Sequence, residues 1–181
     1  MTEDTSTAKT PRDEGPHWRA HTLTELVEYI LATHHVFTRA ELERATELAA
    51  TVARAHPETR AAIRTFEELR DELIPHMERE EAVLFPYVRA LDGASAPRSH
   101  FPTVAMPVRM MNMQHETVAS LLAALRAQTR DYALPPDATD AWRALWGSLQ
   151  ALEADVDLHV HLESDVLFPR AIAAEAACRR G

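Results

Sequence analysis

The chain has 181 residues, 46% of them apolar, which suits one domain with a sizeable core. Its formal charge of −9 argues against nucleic acid or an anionic membrane as partner, and its single cysteine, Cys178, rules out an internal disulfide or a thiolate-held iron–sulfur cluster. Only four glycines, many Ala, Leu, Glu and Arg residues and little period-two alternation point to an all-α fold.

Residues 1–16 are polar with no apolar run, so they predict a flexible tail rather than a secretory signal or a membrane span. The tail is placed at 1–20 and the folded domain at 21–181, with a cytoplasmic location expected. The first helix is predicted over about 22–54, with the stripe Leu31, His35, Thr38, Leu42, Ala45, Ala49, Val52, His56. The dipeptide His56-Pro57 closes it.

The second helix is predicted over about 58–90, with Ala62, Phe66, Leu69, Leu73, His76, Glu80 and Val83 on one face. Pro75 removes a helical hydrogen bond and predicts a kink beside His76, and Pro86 is expected to end or bend the helix. After the turn sequence of 92–97, a third helix is predicted over about 102–131, striped by Val104, Val108, Met111, His115, Val118, Leu122 and Leu125. Leu134-Pro135-Pro136-Asp137 then reads as a linker with Asp137 as N-cap. The fourth helix, about 137–177, presents Leu145, Leu149, Leu152, Val156, His159, Glu163 and Val166, with Pro169 in the place of Pro86.

Steps of four and three put these stripes on the seams where helices of a four-helix bundle interlock. The string HxxxExxxLFP occurs twice on them, as His76, Glu80, Leu84, Phe85, Pro86 and as His159, Glu163, Leu167, Phe168, Pro169. A helix brings residues four apart onto one face, so each copy offers an imidazole beside a carboxylate. Two buried carboxylates need a positive partner or cost several kcal/mol each, on the order given for buried ions, and the seams of the second and fourth helices hold no Lys or Arg. A metal centre in the core answers that demand.

Imidazole and carboxylate ligands without thiolate suit iron or manganese, with zinc a poorer fit. Six or seven ligands are too many for one ion with an open position but enough for two ions about 3.5–4 Å apart. Glu80 and Glu163 are then the expected bridges, with His35, His76, His115 and His159 as terminal ligands. If the first helix is unbroken, His56 lies about 31 Å from His35 along the axis. Either the chain folds His56 back or it is a bystander before Pro57. His34 and His161 point off their stripes, and Glu81 and Glu116 face water or brace an imidazole. Cys178 and the aromatics Tyr29, Phe66, Phe101, Trp142 and Trp146 carry no chemistry in this reading.

The segments HMEREEAVLFP and HVHLESDVLFP, with THHVFTRAEL before them and PVRMMNMQHETVASLL between, resemble the hemerythrin-like (HHE) domain of the repair-of-iron-centres di-iron proteins over about residues 23–170. The resemblance implies a hemerythrin-like four-helix up-down bundle holding two non-haem, carboxylate-bridged iron ions, with manganese or zinc as alternatives. It assigns ligand roles to His35, His56, His76, Glu80, His115, His159 and Glu163. Its implied function is to bind or turn over nitric oxide, peroxide or dioxygen under nitrosative or oxidative stress and to support iron–sulfur cluster repair, with iron–sulfur proteins as partners. This chain departs from the family's pattern in three ways: a short tail stands where full-length members carry a small cysteine-containing domain, Gln114 stands where a Glu usually precedes the third-helix histidine, and Pro75 is unexpected. A reversible dioxygen or nitric oxide carrier or sensor is the alternative, and a helical scaffold whose seam polars only fix register is a third. No acid, base or nucleophile stands out beyond the metal shell, so the residues leave the enzyme question open.

Overall fold

Thr22 starts the first rod through a capping box: its hydroxyl accepts from the Glu25 N–H at 3.1 Å while the Glu25 carboxylate accepts from the Thr22 N–H at 2.8 Å. Asp92, just past the second rod, accepts from the N–H groups of Leu23 at 3.2 Å and Thr24 at 2.8 Å, tying the start of one rod to the end of the next. The structure is a computed structural model and describes residues 17–93 and 98–180. The predicted tail of 1–16 and part of the linker, 94–97, lie outside the described residues.

Four rods follow. α1 (23–55) joins Leu23–Tyr29, a π-helical turn Ile30–His35, and Val36–Ala55. α2 (60–90) joins Arg60–Arg79, a π-turn Glu80–Leu84, and Phe85–Ala90. α3 is Ala105–Thr129. α4 (140–178) joins Asp140–His161, a π-turn Leu162–Leu167, and Phe168–Cys178. Short connections make neighbours antiparallel, and the broadest contacts run between α1 and α4 and between α2 and α3. Among the described residues there is no strand, and no helix is long and apolar enough to cross a membrane.

The π-turns explain why two prolines expected to end or bend their rods do not end them. Pro86 and Pro169 neither end nor interrupt their rods; each sits in the first turn of the α-segment that follows the π-turn. The N–H groups of Phe85 and Phe168 reach back five residues to the carbonyls of Glu80 and Glu163, and this wider turn accommodates a proline that would strain a regular helix. Val83, chosen for the buried stripe, is 50% exposed although its counterpart Val166 is buried, while Leu84 and Phe85 are fully buried. Upstream, the helix Arg60–Arg79 runs on through Pro75.

Asp137 is not the cap of α4. Thr139 is, with its hydroxyl accepting from the Trp142 N–H at 3.3 Å. α3 ends in three consecutive left-handed residues, Arg130, Asp131 and Tyr132 (φ 54°, 57° and 59°). They are held where the Tyr132 N–H donates to Thr129 Oγ1 at 3.0 Å and the Tyr132 hydroxyl to buried Glu153 at 2.9 Å. At the other end of the bundle the buried Glu175 carboxylate accepts from the Tyr87 and Thr103 hydroxyls, both at 2.6 Å, and from the Val104 N–H at 3.0 Å, fixing the entry to α3.

The interior is two apolar clusters. One packs Leu42, Phe66, Leu69, Leu125, Leu145, Leu149 and Trp146; the other packs Leu26, Ile30, Leu84, Phe85, Val108, Leu162 and Phe168. Each such side chain contributes about 1.5–3 kcal/mol by leaving water. Between the clusters lies a layer of buried polar groups: His34, His35, Thr38, His76, Glu80, His115, His159 and Glu163.

Candidate metal centre

Each rod delivers imidazole or carboxylate to this layer. α1 brings His35 at the end of its π-turn, α2 brings His76 and Glu80, α3 brings His115, and α4 brings His159 and Glu163. Both glutamates occupy their π-turns, where the widened winding sets the pitch between each His and its Glu. Glu80 and Glu163 are fully buried, His35, His76 and His159 are 1% exposed, and His115 is 6% exposed.

Two sets of four donors meet within 4.8 Å: His35, Glu80, His159, Glu163, and His76, Glu80, His115, Glu163. The sets share both carboxylates, so two cations held there would be bridged by Glu80 and Glu163. Nε2 of His35 and of His76 lie 3.4 and 3.3 Å from Glu80 Oε2, and Nε2 of His115 lies 3.1 Å from Glu163 Oε2. Nε2 of His159 is 2.9 Å from Glu163 Oε1.

Outward-facing nitrogens fix the tautomers. His35 Nδ1 donates to Glu81 Oε1 at 2.7 Å, an oxygen that Arg39 also holds at 2.7 Å. His76 Nδ1 donates to Gln114 Oε1 at 3.3 Å, while Gln114 Nε2 donates to Glu72 at 3.0 Å and so keeps the amide oxygen toward the imidazole. His115 Nδ1 donates at 3.0 Å to Ser164 Oγ, whose own proton goes to Asn112 Oδ1 at 3.1 Å. Three imidazoles therefore turn a bare Nε2 lone pair inward, and those of His76 and His115 face each other at 3.2 Å.

Both oxygens of Glu80, Oε2 of Glu163 and Nε2 of His35 are buried without a hydrogen-bond partner. Acceptors gathered this closely with so few donors fit cations, because each would otherwise bear its desolvation cost uncompensated. Ionisation points the same way. Burial and the adjacent Glu163 charge push the Glu80 carboxyl well above the usual carboxylate range. Burial also pushes Glu163 up, but the neighbouring His159 and its hydrogen bond to the Glu163 carboxylate hold it well below.

Burial takes His35 and His76 down to about 4, with the charge of His159 adding to the shift of His35. For His159 burial acts downward, yet the Glu163 carboxylate lifts it above its ordinary value. The shifts of Glu80 and His159 both favour the protonated form, and a cation bound here would compete with those protons.

The fold does not bring His56 to this layer. α1 runs unbroken to Ala55, and His56 ends it at the far end of the bundle, its Nε2 3.2 Å from Thr139 Oγ1 and its ring 4.6 Å from that of Trp142. The expectation that it is a ligand is corrected by helix length alone. The other six sequence-chosen residues come together. His161 stays at the surface with Asp165 at 2.7 Å, and Glu116 is exposed.

Sequence reasoning missed Asp155, which accepts from His34 Nδ1 at 2.8 Å. His34 is 1% exposed and stacks on the His159 ring at 5.7 Å, so α1 buttresses a residue of α4. The available signal was position: Asp155 lies one turn before His159 on the same face. Ser164 and Asn112 carried no signal, since short polar residues there are ordinary surface residues.

With this geometry in view, the chain was compared with known proteins. The model of the hemerythrin HHE cation binding domain matches residues 26–171. The iron–sulfur cluster repair protein YtfE of Cronobacter sakazakii is 33% identical over 172 residues, 93% of this chain and 73% of that protein. The protein of the same name from Escherichia coli O157:H7 is 30% identical over 162 residues, 87% of this chain and 70% of its own length.

Proposed function

The chain belongs to the hemerythrin HHE cation-binding family, and we propose that it is a non-haem di-iron protein that meets nitrosative or oxidative stress and supports the repair of iron–sulfur clusters. The repair role rests on its relatives, named as iron–sulfur cluster repair proteins. One observation carries the di-iron reading: two sets of four buried donors share Glu80 and Glu163. Six nitrogen and oxygen ligands without a thiolate match the preference of iron. The ligands proposed are His35, His76, His115 and His159, with Glu80 and Glu163 as bridges.

Bound iron supplies a redox couple and coordination positions beyond the protein's own ligands. The chain supplies the rest. Leu84, Phe85, Met77 and Phe168 wall the layer with fully or nearly fully buried apolar groups that exclude bulk water. Glu81, Gln114 and Ser164 fix three imidazoles by their outer nitrogens, so the ligand shell is organised before a reactant arrives. Ligands no more than 6% exposed disfavour a large substrate. The small reactant is therefore nitric oxide, peroxide or dioxygen, and the partners are iron–sulfur proteins with damaged clusters.

The test is anaerobic reconstitution with ferrous iron, followed by addition to an iron–sulfur enzyme inactivated with peroxide. Two irons per chain, and recovery of that enzyme beyond what the same amount of free ferrous iron gives, are expected. Equal recovery with free iron would remove the repair role. Reversible uptake of nitric oxide without consumption would favour a carrier or sensor.

A further inference from the structure

The two donor sets share both carboxylates, so any difference between them must come from the imidazole pairs and from what stands behind each pair. Behind His35 stands an anion, the Glu81 carboxylate, at 2.7 Å. His159 Nδ1 has no hydrogen-bond partner among the described residues; the ring of His34 stacks on this imidazole at 5.7 Å and is itself hydrogen-bonded at 2.8 Å to Asp155, one turn upstream of His159.

The other pair has neutral support. His76 leans on an amide oxygen of Gln114 at 3.3 Å, and His115 on the hydroxyl of Ser164 at 3.0 Å. A carboxylate hydrogen-bonded to the outer nitrogen of an imidazole raises the basicity of the ligating nitrogen and tightens its hold on a metal. An amide or hydroxyl orients the ring with much less of that push. Exposure falls on the same side: His115 is 6% exposed against 1% for the other three imidazoles, and its rim residue Asn112 is exposed.

We propose that the two half-sites grip their cations unequally, the His76–His115 half-site being the one that loads last and releases first, with Gln114 as the positioning residue that sets the difference. This rests on the two-ion reading above and identifies which ion of the pair is available for donation. Glu72, which holds the Gln114 amide, keeps its oxygen toward His76 and so fixes neutral support at that position. The anionic support of His35 has no counterpart there.

The experiment uses the full chain loaded anaerobically with two ferrous ions and mixed with a ferrous chelator in a stopped-flow instrument. Wild type releases iron in two phases of equal amplitude. Gln114→Glu places a carboxylate behind His76 and slows the fast phase about 10- to 100-fold, the effect typical of outer-shell changes, with the slow phase unchanged. Glu81→Gln speeds the slow phase by a similar factor and leaves the fast one alone. Gln114→Ala, which removes the support without adding charge, speeds the fast phase and serves should the glutamate variant load poorly. Two irons leaving wild type in a single phase would overturn the inequality while leaving the di-iron reading intact. A fast phase indifferent to both Gln114 substitutions would overturn the assignment, and fewer than two irons per chain would overturn both readings.

Discussion

Because Glu163 belongs to both donor sets while His115 belongs to one, truncating each should cost different amounts of metal-dependent stability. A ligand that binds only the folded state at 100 times its dissociation constant stabilises by about 2.7 kcal/mol. Two ions each held at that ratio would contribute about twice that, and with roughly 2–4 °C per kcal/mol for a chain of this size the melting point should rise by about 10–20 °C on loading. His115→Ala should keep about half of the increment. Glu163→Ala should lose nearly all of it, since each remaining set would hold three donors and only one carboxylate. The assay is calorimetry or circular dichroism melting with and without ferrous iron at fixed free concentration. The readout is the increment and not the apo melting point, because removing a buried carboxylate also relieves desolvation in the empty layer. Equal increments in the two variants, or a full increment in Glu163→Ala, would refute the shared-bridge geometry.

His56→Ala should leave the iron content per chain unchanged in metal analysis; loss of an ion would return this residue to the ligand set. Val83→Ser should shift stability by no more than about 0.5 kcal/mol in urea unfolding. Leu84→Ala, by contrast, should cost about 2–5 kcal/mol, and the opposite ranking would refute the burial assigned to these two positions. Burial pushes the Glu175 carboxyl up, but hydrogen bonds from Thr103, Tyr87 and the Val104 N–H bring its value below the ordinary one. Its stabilisation is therefore complete above the unfolded carboxylate pKa of about 4.3 and is lost as pH falls through the folded value. Glu175→Gln should be less stable at neutral pH by about 1.5–3 kcal/mol, with the gap to wild type closing toward pH 3 in denaturant titrations. A gap independent of pH would contradict the sign.

The four rods and the convergence of six of the seven chosen residues in one buried layer were readable because seam packing imposes steps of three and four, and a polar group on such a step stands out. Leu149, Val156, His159 and Glu163 are all buried as that pattern requires. The π-turns were not readable. A single added residue per turn leaves no compositional mark, and it shows only in the backbone hydrogen bonds, such as that from the Phe85 N–H to the Glu80 carbonyl. Proline misled for the same reason: Pro86 and Pro169 are helix breakers to a regular winding but follow a π-turn without breaking the rod. His56 continued the stripe flawlessly, yet a stripe reports facing and not depth along the axis. Asp155 and Gln114 matter through partners on other rods, and pairing across rods is fixed only once the bundle assembles.

The polar layer separating the two apolar clusters also bears on how the molecule opens. Two separate apolar clusters give the bundle the makings of two cooperative folding units strung on common backbones. On the di-iron reading proposed above, a cation pair gripped from all four rods would rivet those units at their junction. In the empty protein the amides around Leu26, Phe85 and Phe168 would exchange with solvent hydrogen independently of those around Leu69 and Leu149, and filling the centre would merge the two populations into one.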